Sequence, residues 1–280
     1  MYHSITFRKV YDTDETTLVD TSYRDYNTWD DWRLIPKERP VIDPPSLSFQ
    51  QNVFPDNQPI SFTTADFLNG TPYARQASWT FIIDNDYNEY DQPTVFNSIM
   101  NALHGQLMKI YLEDDPDYYY YGQVTVGKWS PQNNFSEITI EVACEALKYG
   151  EVKEVRFNKG PTYTLDVNTD WMCPCIVILK PFTTFTNFTL SGFANSLKIV
   201  GNTDIVLSQL SLLPNEYPFV INGITKKLYR NSVDDNQFGK VKQMWQFPML
   251  ASGTNIITAS ANSTISNFLT ITFRYQERRF

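Results

Sequence analysis

Leu103-His104-Gly105, then Lys109-Ile110-Tyr111-Leu112-Glu113-Asp114-Asp115-Pro116, then Tyr118-Tyr119-Tyr120-Tyr121-Gly122-Gln123 is the stretch that decides the fold. It reads as a helix end, a strand, an acidic turn and a second strand. Four consecutive tyrosines have no catalytic logic. They suit a half-buried strand, because aromatic side chains pack on a pleated surface from both faces.

On either side of this stretch the pattern is mostly that of strands. Leu269, Ile271, Phe273 and Tyr275 alternate with Thr270, Thr272 and Arg274, and Ile138, Ile140 and Val142 alternate with Thr139 and Glu141. Cys175 to Leu179 is a short continuous apolar run, as in a strand buried on both faces. From Pro93 to Leu103 the period changes. Val95, Phe96, Ile99, Met100 and Leu103 recur at three- and four-residue spacing, with Pro93 at an early helical position and Gly105 placed for a left-handed cap. This predicts the only substantial helix. Six prolines between Leu34 and Pro59 predict an extended, poorly paired arm. The break between halves is expected near Leu147 to Gly160, where Lys148-Tyr149-Gly150-Glu151-Val152-Lys153 reads as a connector.

Bulk properties bound the function. At 280 residues, with 42% hydrophobic and 19% charged residues, the chain can bury one large core or two ordinary ones, and disorder is excluded as a general description. The 17 tyrosines and 19 phenylalanines supply sheet packing and interface anchors alike. The net charge of −8 is unevenly placed: residues 1–150 hold 22 acids and 10 bases, giving −12, while residues 151–280 hold 9 and 13, giving +4. An acidic first half repels nucleic acid rather than gripping it. The N-terminal residues lack the apolar run of a signal peptide, and no apolar stretch approaches a membrane span, so synthesis in a host cytoplasm and no membrane insertion are expected. Three cysteines do not make a disulfide framework.

Constellations that suggest chemistry have plainer structural readings. Asp84-Asn85-Asp86-Tyr87-Asn88 begins like a calcium loop, yet Glu89 stands where the glycine belongs and Val95 where the bidentate glutamate belongs. Asp114, Asp115 and Asp117 surround a turn proline, whereas hydrolytic carboxylates face each other across a cleft. Cys173-Pro174-Cys175 has only Cys144, His3 and His104 left to complete a metal site, and reads as buried strand cysteines. Lys226-Lys227 and Arg278-Arg279 are too short for a nucleic-acid platform. No phosphate loop, dinucleotide fingerprint or nucleophile elbow is present, so no enzyme and no cofactor are expected.

The opening motif, written LHG…K-I-x-L-x-D-D-P-x-Y-Y-Y-x-G, resembles the distal tail protein family (Dit) of long-tailed phages. Other segments carry the same resemblance: Thr28-Trp29-Asp30-Asp31-Trp32-Arg33-Leu34-Ile35-Pro36 followed by Arg39-Pro40-Val41-Ile42 and Pro44-Pro45; Tyr73 and Arg75 followed by Trp79-Thr80-Phe81; and Phe247-Pro248-Met249-Leu250 before Gly253-Thr254-Asn255-Ile256-Ile257. The match is dense over residues 28–123 and looser over 216–280. Gln123, where family members often carry arginine, and the Arg278-Arg279-Phe280 ending depart from it.

The resemblance implies a mainly β fold: residues 1–148 as a ring-forming barrel or sandwich with one helix, and residues 149–280 as a galectin-like sandwich. It implies a virion protein of the tail tip or baseplate that forms a homohexamer and meets the tail tube, tail-tip hub and tape-measure proteins, with a receptor-binding protein as a further partner. Trp29, Trp32, Arg33, Tyr118, Tyr119 and Tyr120 become candidates for the ring or partner interface. Asp84, Asp86, Glu89, Asp114, Asp115 and Asp117 become candidates for an acidic channel lining that lets DNA pass without binding. The alternative is a carbohydrate-binding tail adhesin, with Trp171, Tyr229 and Trp245 as candidates for stacking on sugar rings.

Overall fold

The computed structural model describes residues 3–45, 49–53, 59–63, 74–84, 86, 91–158, 160–182, 188–194, 203–207, 218–230, 247–261 and 269–280. Tyr73, Glu89 and Trp245 lie outside the described residues. In chain order the elements are β1 (Ile5–Thr13), β2 (Asp20–Asn27), β3 (Ile35–Pro36), β4 (Phe49–Val53), β5 (Pro59–Thr63), β6 (Arg75–Asp84), α1 (Gln92–Leu103), β7 (Leu107–Leu112), β8 (Tyr119–Pro131) and β9 (Phe135–Phe157). They continue with β10 (Thr162–Val167), β11 (Cys173–Pro181), β12 (Phe188–Phe193), β13 (Thr203–Leu207), β14 (Phe219–Asn222), β15 (Lys227–Arg230), β16 (Met249–Leu250), β17 (Gly253–Ser260) and β18 (Leu269–Arg279). The fold is mainly β, with one helix among the described residues. The chain divides into two compact units, one of residues 1–13, 20–149 and 280, the other of 14–19 and 150–279.

In the first unit the strands run in the order β2-β1-β7-β8-β9-β6, each antiparallel to its neighbour. The two residues of β3 pair with Ile82 and Phe81 on the far side of β6. Alternate residues point inward, so Ile5 and Phe7, Met108 and Ile110, Val124 and Val126, Ile138 and Ile140, and Phe81 and Ile83 meet in one core. α1 closes it with Val95, Ile99 and Leu103, each side chain contributing about 1.5–3 kcal/mol by leaving water. The helix forms where its punctuation predicts. The Asp91 side chain accepts from Thr94 N–H at 3.1 Å, Pro93 sits in the first turn, and Gly105 leaves the C-terminus at φ +73°.

The tyrosine run occupies the turn and the start of β8: Tyr118 precedes the strand, Tyr120 is buried, and Tyr119 and Tyr121 are half-buried. Register with β9 shifts between Tyr120 and Gly122, a bulge that interrupts the simple alternation.

The second unit is built from two antiparallel sheets. One joins β15, β14, β11 and β18, and the other joins β10, β17, β12 and β13. Both contribute to a single apolar core that includes Val177, Leu179, Phe188, Phe193, Phe219, Ile257, Ile271 and Phe273. Cys173 and Cys175 are fully buried strand residues of β11, and burial pushes the Cys173 thiol up to about 12 and the Cys175 thiol well above its ordinary value. Residues 14–19 also belong to this unit. Asn222 donates to the Glu15 carbonyl at 3.1 Å, Arg274 donates to the Thr16 carbonyl at 2.9 Å, and Leu18 packs against Ile176, Val220 and Tyr229.

Three local expectations change. Lys148–Lys153 joins the two units, which divide between Tyr149 and Gly150, but it does so as part of the 23-residue strand β9 and not as a loop. The proline-rich arm is only partly unpaired, because β4 and β5 form a hairpin with Pro59 at the first position of its strand, where a missing N–H is tolerated. Thr270 and Thr272 are buried like their apolar neighbours, so the start of β18 has no solvent face.

Candidate functional site

Among the described residues, the features that suggest function are surfaces of the first unit. Its sheet carries an interleaved aromatic and charged face. On it Arg8 holds Asp25 through two hydrogen bonds of 2.7 and 2.9 Å and lies 4.1 Å from the Tyr23 ring centroid. Lys109 donates to both Asp20 oxygens at 2.8 and 2.7 Å and lies 4.8 Å from the Tyr119 ring. Tyr119 stacks on Tyr149 and tilts against Tyr111, both with ring centroids 5.5 Å apart. Burial pushes the Tyr111 phenol up, so the ring stays neutral at physiological pH. Cations held between aromatic faces and carboxylates fix these side chains in place, each contact adding about 0.5–1 kcal/mol.

The tryptophan loop separates two residues that look alike in sequence. Asn27 takes N–H bonds from Trp29 and Asp30, and the Arg33 guanidinium lies 5.2 Å from the Trp29 ring. Arg33 is exposed and Trp29 half-buried, so both reach the surface. Trp32 points the other way. It stacks on Tyr26 at 5.9 Å and 5°, donates its indole N–H to Ser98 at 3.1 Å, and is 5% exposed. As a core side chain it offers no surface to a partner. The same correction applies to Tyr120, which is 6% exposed beside Arg75, whereas Tyr118 and Tyr119 retain accessible area.

The candidate acids fall into two groups. Asp84 pairs with Phe135 at the start of β9, and Asp86 donates its backbone N–H back to the Asp84 carboxylate at 3.0 Å. Asp114, Asp115 and Asp117 lie in the turn before Tyr119, which pairs with Tyr149. Asp84 thus sits beside the first residue of β9, and the second group beside Tyr149, fourteen residues further along that strand. Asp114 is also held by Arg39 at 2.7 Å and His3 at 3.2 Å, and these contacts lower its pKa. Asp115 is held by Lys148 at 2.7 Å. Asp117 is exposed.

Two of the three candidates for sugar stacking, Trp171 and Tyr229, do not present rings to solvent. Trp171 is 7% exposed, and Tyr229 is 2% exposed beneath residues 14–19, where its hydroxyl meets that of Thr16 at 3.1 Å. Among the described residues no cluster of three His, Cys, Asp or Glu is placed to hold a metal ion, and no helix is long and apolar enough to cross a membrane.

Two features escaped the sequence reading. β2 is the outermost strand of the first unit's sheet, with residues 21–25 all exposed. Arg75 is buried at the opposite margin, donating to the Ala146 carbonyl at 2.7 Å.

No protein-family model matches the chain, and no curated protein matches it significantly. Among solved structures it is similar to the Dit protein of phage SPP1, described as a paradigm of the hub adsorption apparatus in phages infecting Gram-positive hosts. That match has a TM-score of 0.64 and 14% identity over 88% of this chain and 93% of that one. Looser matches are to the phage p2 baseplate in its activated conformation with strontium, TM-score 0.49, and with calcium, TM-score 0.47. Both have 10% identity and cover at least 98% of each chain. The assignment rests on the first comparison: the chain has the fold of the SPP1 Dit protein.

Proposed function

We propose that the protein is a structural hub of a phage tail tip, assembling as a six-membered ring that joins the tail tube to the adsorption apparatus. The observation that carries this reading is the shared fold over nearly the whole of both chains, together with the W-D-W…I-P and D-D-P-x-Y-Y-Y motifs. The first unit forms the ring and the second, a galectin-like sandwich, projects from it to hold baseplate or receptor-binding proteins. The ring encloses a channel for DNA. Its wall is kept from binding phosphate by the acidic excess of residues 1–150, to which Asp84, Asp86 and Asp117 contribute. The role is mechanical, without catalysis. Trp171 and Tyr229, as core residues, lend the adhesin reading no support.

Antibody labelling of intact phage tails, with electron microscopy of the purified protein, tests this reading. Label at the distal end and annular particles with six-fold symmetry support it. Label along the tube or on fibres, with no annular particles, overturns it.

A further inference from the structure

β2 pairs only with β1 among the described residues, and its residues 21–25 are exposed. Its last residue is already provided for: Asn27 donates its N–H to the Asp31 carboxylate at 2.6 Å and accepts the Asp31 N–H at 3.1 Å. The open part comes before it. Thr28 N–H bonds the Ile5 carbonyl, so the alternation of an antiparallel ladder turns the backbone groups of Tyr26 and Arg24 toward β1 and those of Asp25 and Tyr23 outward. Natural sheets protect such an edge by proline, by lysine or by shortness. β2 is eight residues long and contains neither proline nor lysine.

The side chains beside this edge divide between two faces. Asp25 and Tyr23 lie with Arg8, which holds the Asp25 carboxylate and covers the Tyr23 ring. On the face toward α1, Lys9 and Arg24 stand directly opposite each other. Like charges in that relation repel. Among the described residues neither forms a salt bridge; Arg24 lies 4.8 Å from the Tyr26 ring centroid and Lys9 5.5 Å from that of Tyr11. Next to them a groove of about 590 Å³ runs from Arg24 and Tyr26 to Thr94, Asn97 and Asn101 on α1. No residue of α1 is charged, so the groove offers amides, hydroxyls and one guanidinium, with no carboxylate to balance it.

We propose that this edge is a docking site for an extended acidic segment of another protein, which adds antiparallel to β2 and lays its carboxylates beside Arg24 in the groove. The backbone ladder supplies affinity, and a groove of one sign selects acidic side chains over basic ones, with the Lys9 charge behind Arg24 favouring the same choice. The free backbone groups include carbonyls as well as N–H groups. A phosphate chain has no donors for those carbonyls, whereas a peptide strand does, and this favours a protein partner over a nucleic acid. The inference goes beyond the hub reading and stands without it.

The test uses the full-length protein and a terminally blocked, fluorescein-labelled peptide of alternating threonine and glutamate, followed by fluorescence anisotropy. It is expected to bind about tenfold more tightly than the threonine–lysine peptide of the same length, and Arg24→Glu to reverse that preference. When the glutamates face α1, the threonine N–H groups face β2. N-methylation of the threonines should therefore abolish binding, and N-methylation of the glutamates should spare it. Tyr23→Pro, which removes an outward N–H without breaking a bond to β1, should weaken binding in the same way. Glutamate selectivity that survives threonine N-methylation, or a labelled peptide displaced by inorganic phosphate or oligothymidylate, shows a site for anions and not for strands, and overturns the inference. Equal binding of the two peptides, or none at about 1 mM, overturns it as well.

Discussion

Replacing Gly122 by alanine tests the reading of the tyrosine run at its narrowest point. Gly122 lies in β8 where the register with β9 shifts. A Cβ built there would sit 2.7 Å from the Ala143 carbonyl oxygen, 2.8 Å from Cys144 Cα and 2.8 Å from Cys144 Sγ. An ordinary carbon–oxygen contact is about 3.3 Å, so the two strands must part by roughly 0.5 Å. Two of those atoms are backbone, Cys144 is buried, and β9 is paired on both sides, so neither strand has free space to move into. Such overpacking costs about 1–3 kcal/mol. Gly105→Ala is the internal comparison, because its Cβ meets nothing within 4 Å and its cost, about 1 kcal/mol, comes only from φ +73°. Urea unfolding followed by tryptophan fluorescence measures both, since Trp29, Trp32, Trp79 and Trp129 all report on the first unit. Gly122→Ala is expected to lower the first-unit midpoint by about 1 M, given slopes of roughly 1–3 kcal/mol/M, and to leave the second unit's transition in place. A Gly122→Ala protein within about 0.5 kcal/mol of the native one would refute the close-approach argument.

Three further outcomes are expected. Trp32→Ala removes a stacked core indole and should cost the first unit about 3–5 kcal/mol, whereas Trp29→Ala, at the surface, should cost under about 1.5 kcal/mol; equal losses in thermal unfolding would contradict the core assignment of Trp32. Alkaline stability should fall above pH 9. The unfolded thiols lose protons near 9.0, while burial holds Cys144 and Cys173 protonated to about 12, so the unfolded state binds fewer protons in between and the slope is about −1.4 kcal/mol per pH unit per thiol. A denaturation series from pH 8 to 11 checks this, and an unchanged slope in Cys173→Ala would speak against it. A fragment of residues 150–280 lacks the segment that covers Tyr229 and receives hydrogen bonds from Asn222 and Arg274, so it should be roughly 2–4 kcal/mol less stable than the second transition of the full chain. Identical midpoints would show that residues 14–19 add nothing.

Local grammar was legible wherever it was written in neighbouring residues. The helix could be read because Pro93 and Gly105 act within one turn of it, and β7 and β8 because the turn between them is compact. Assignments that depend on distant partners were not legible. Nothing near Trp32 tells it from Trp29; the difference is Ser98, 66 residues away. Trp171 and Tyr229 serve equally as core or as stacking rings in the sequence, and the fold buries both. The loop at 14–19 belongs to a unit whose hydrogen-bond donor, Arg274, lies 258 residues later. β2 did not show as an open edge for the same reason: a strand's place in a sheet depends on how many partners it finds, and that number is set by topology. The acidic count of the first half was correct as a sum. It missed that Asp114 and Asp115 are neutralised by Arg39 and Lys148, which only the fold brings near.

The number of chains in the purified particle tests the central claim most directly. Native mass spectrometry of the full-length protein at increasing concentration, with negative-stain images of the same samples, is predicted to give a species of six times the 32.5 kDa chain mass, seen as rings with an open centre. A mass that stays at one chain throughout, together with isolated tails that show no ring at their tips, would contradict the account.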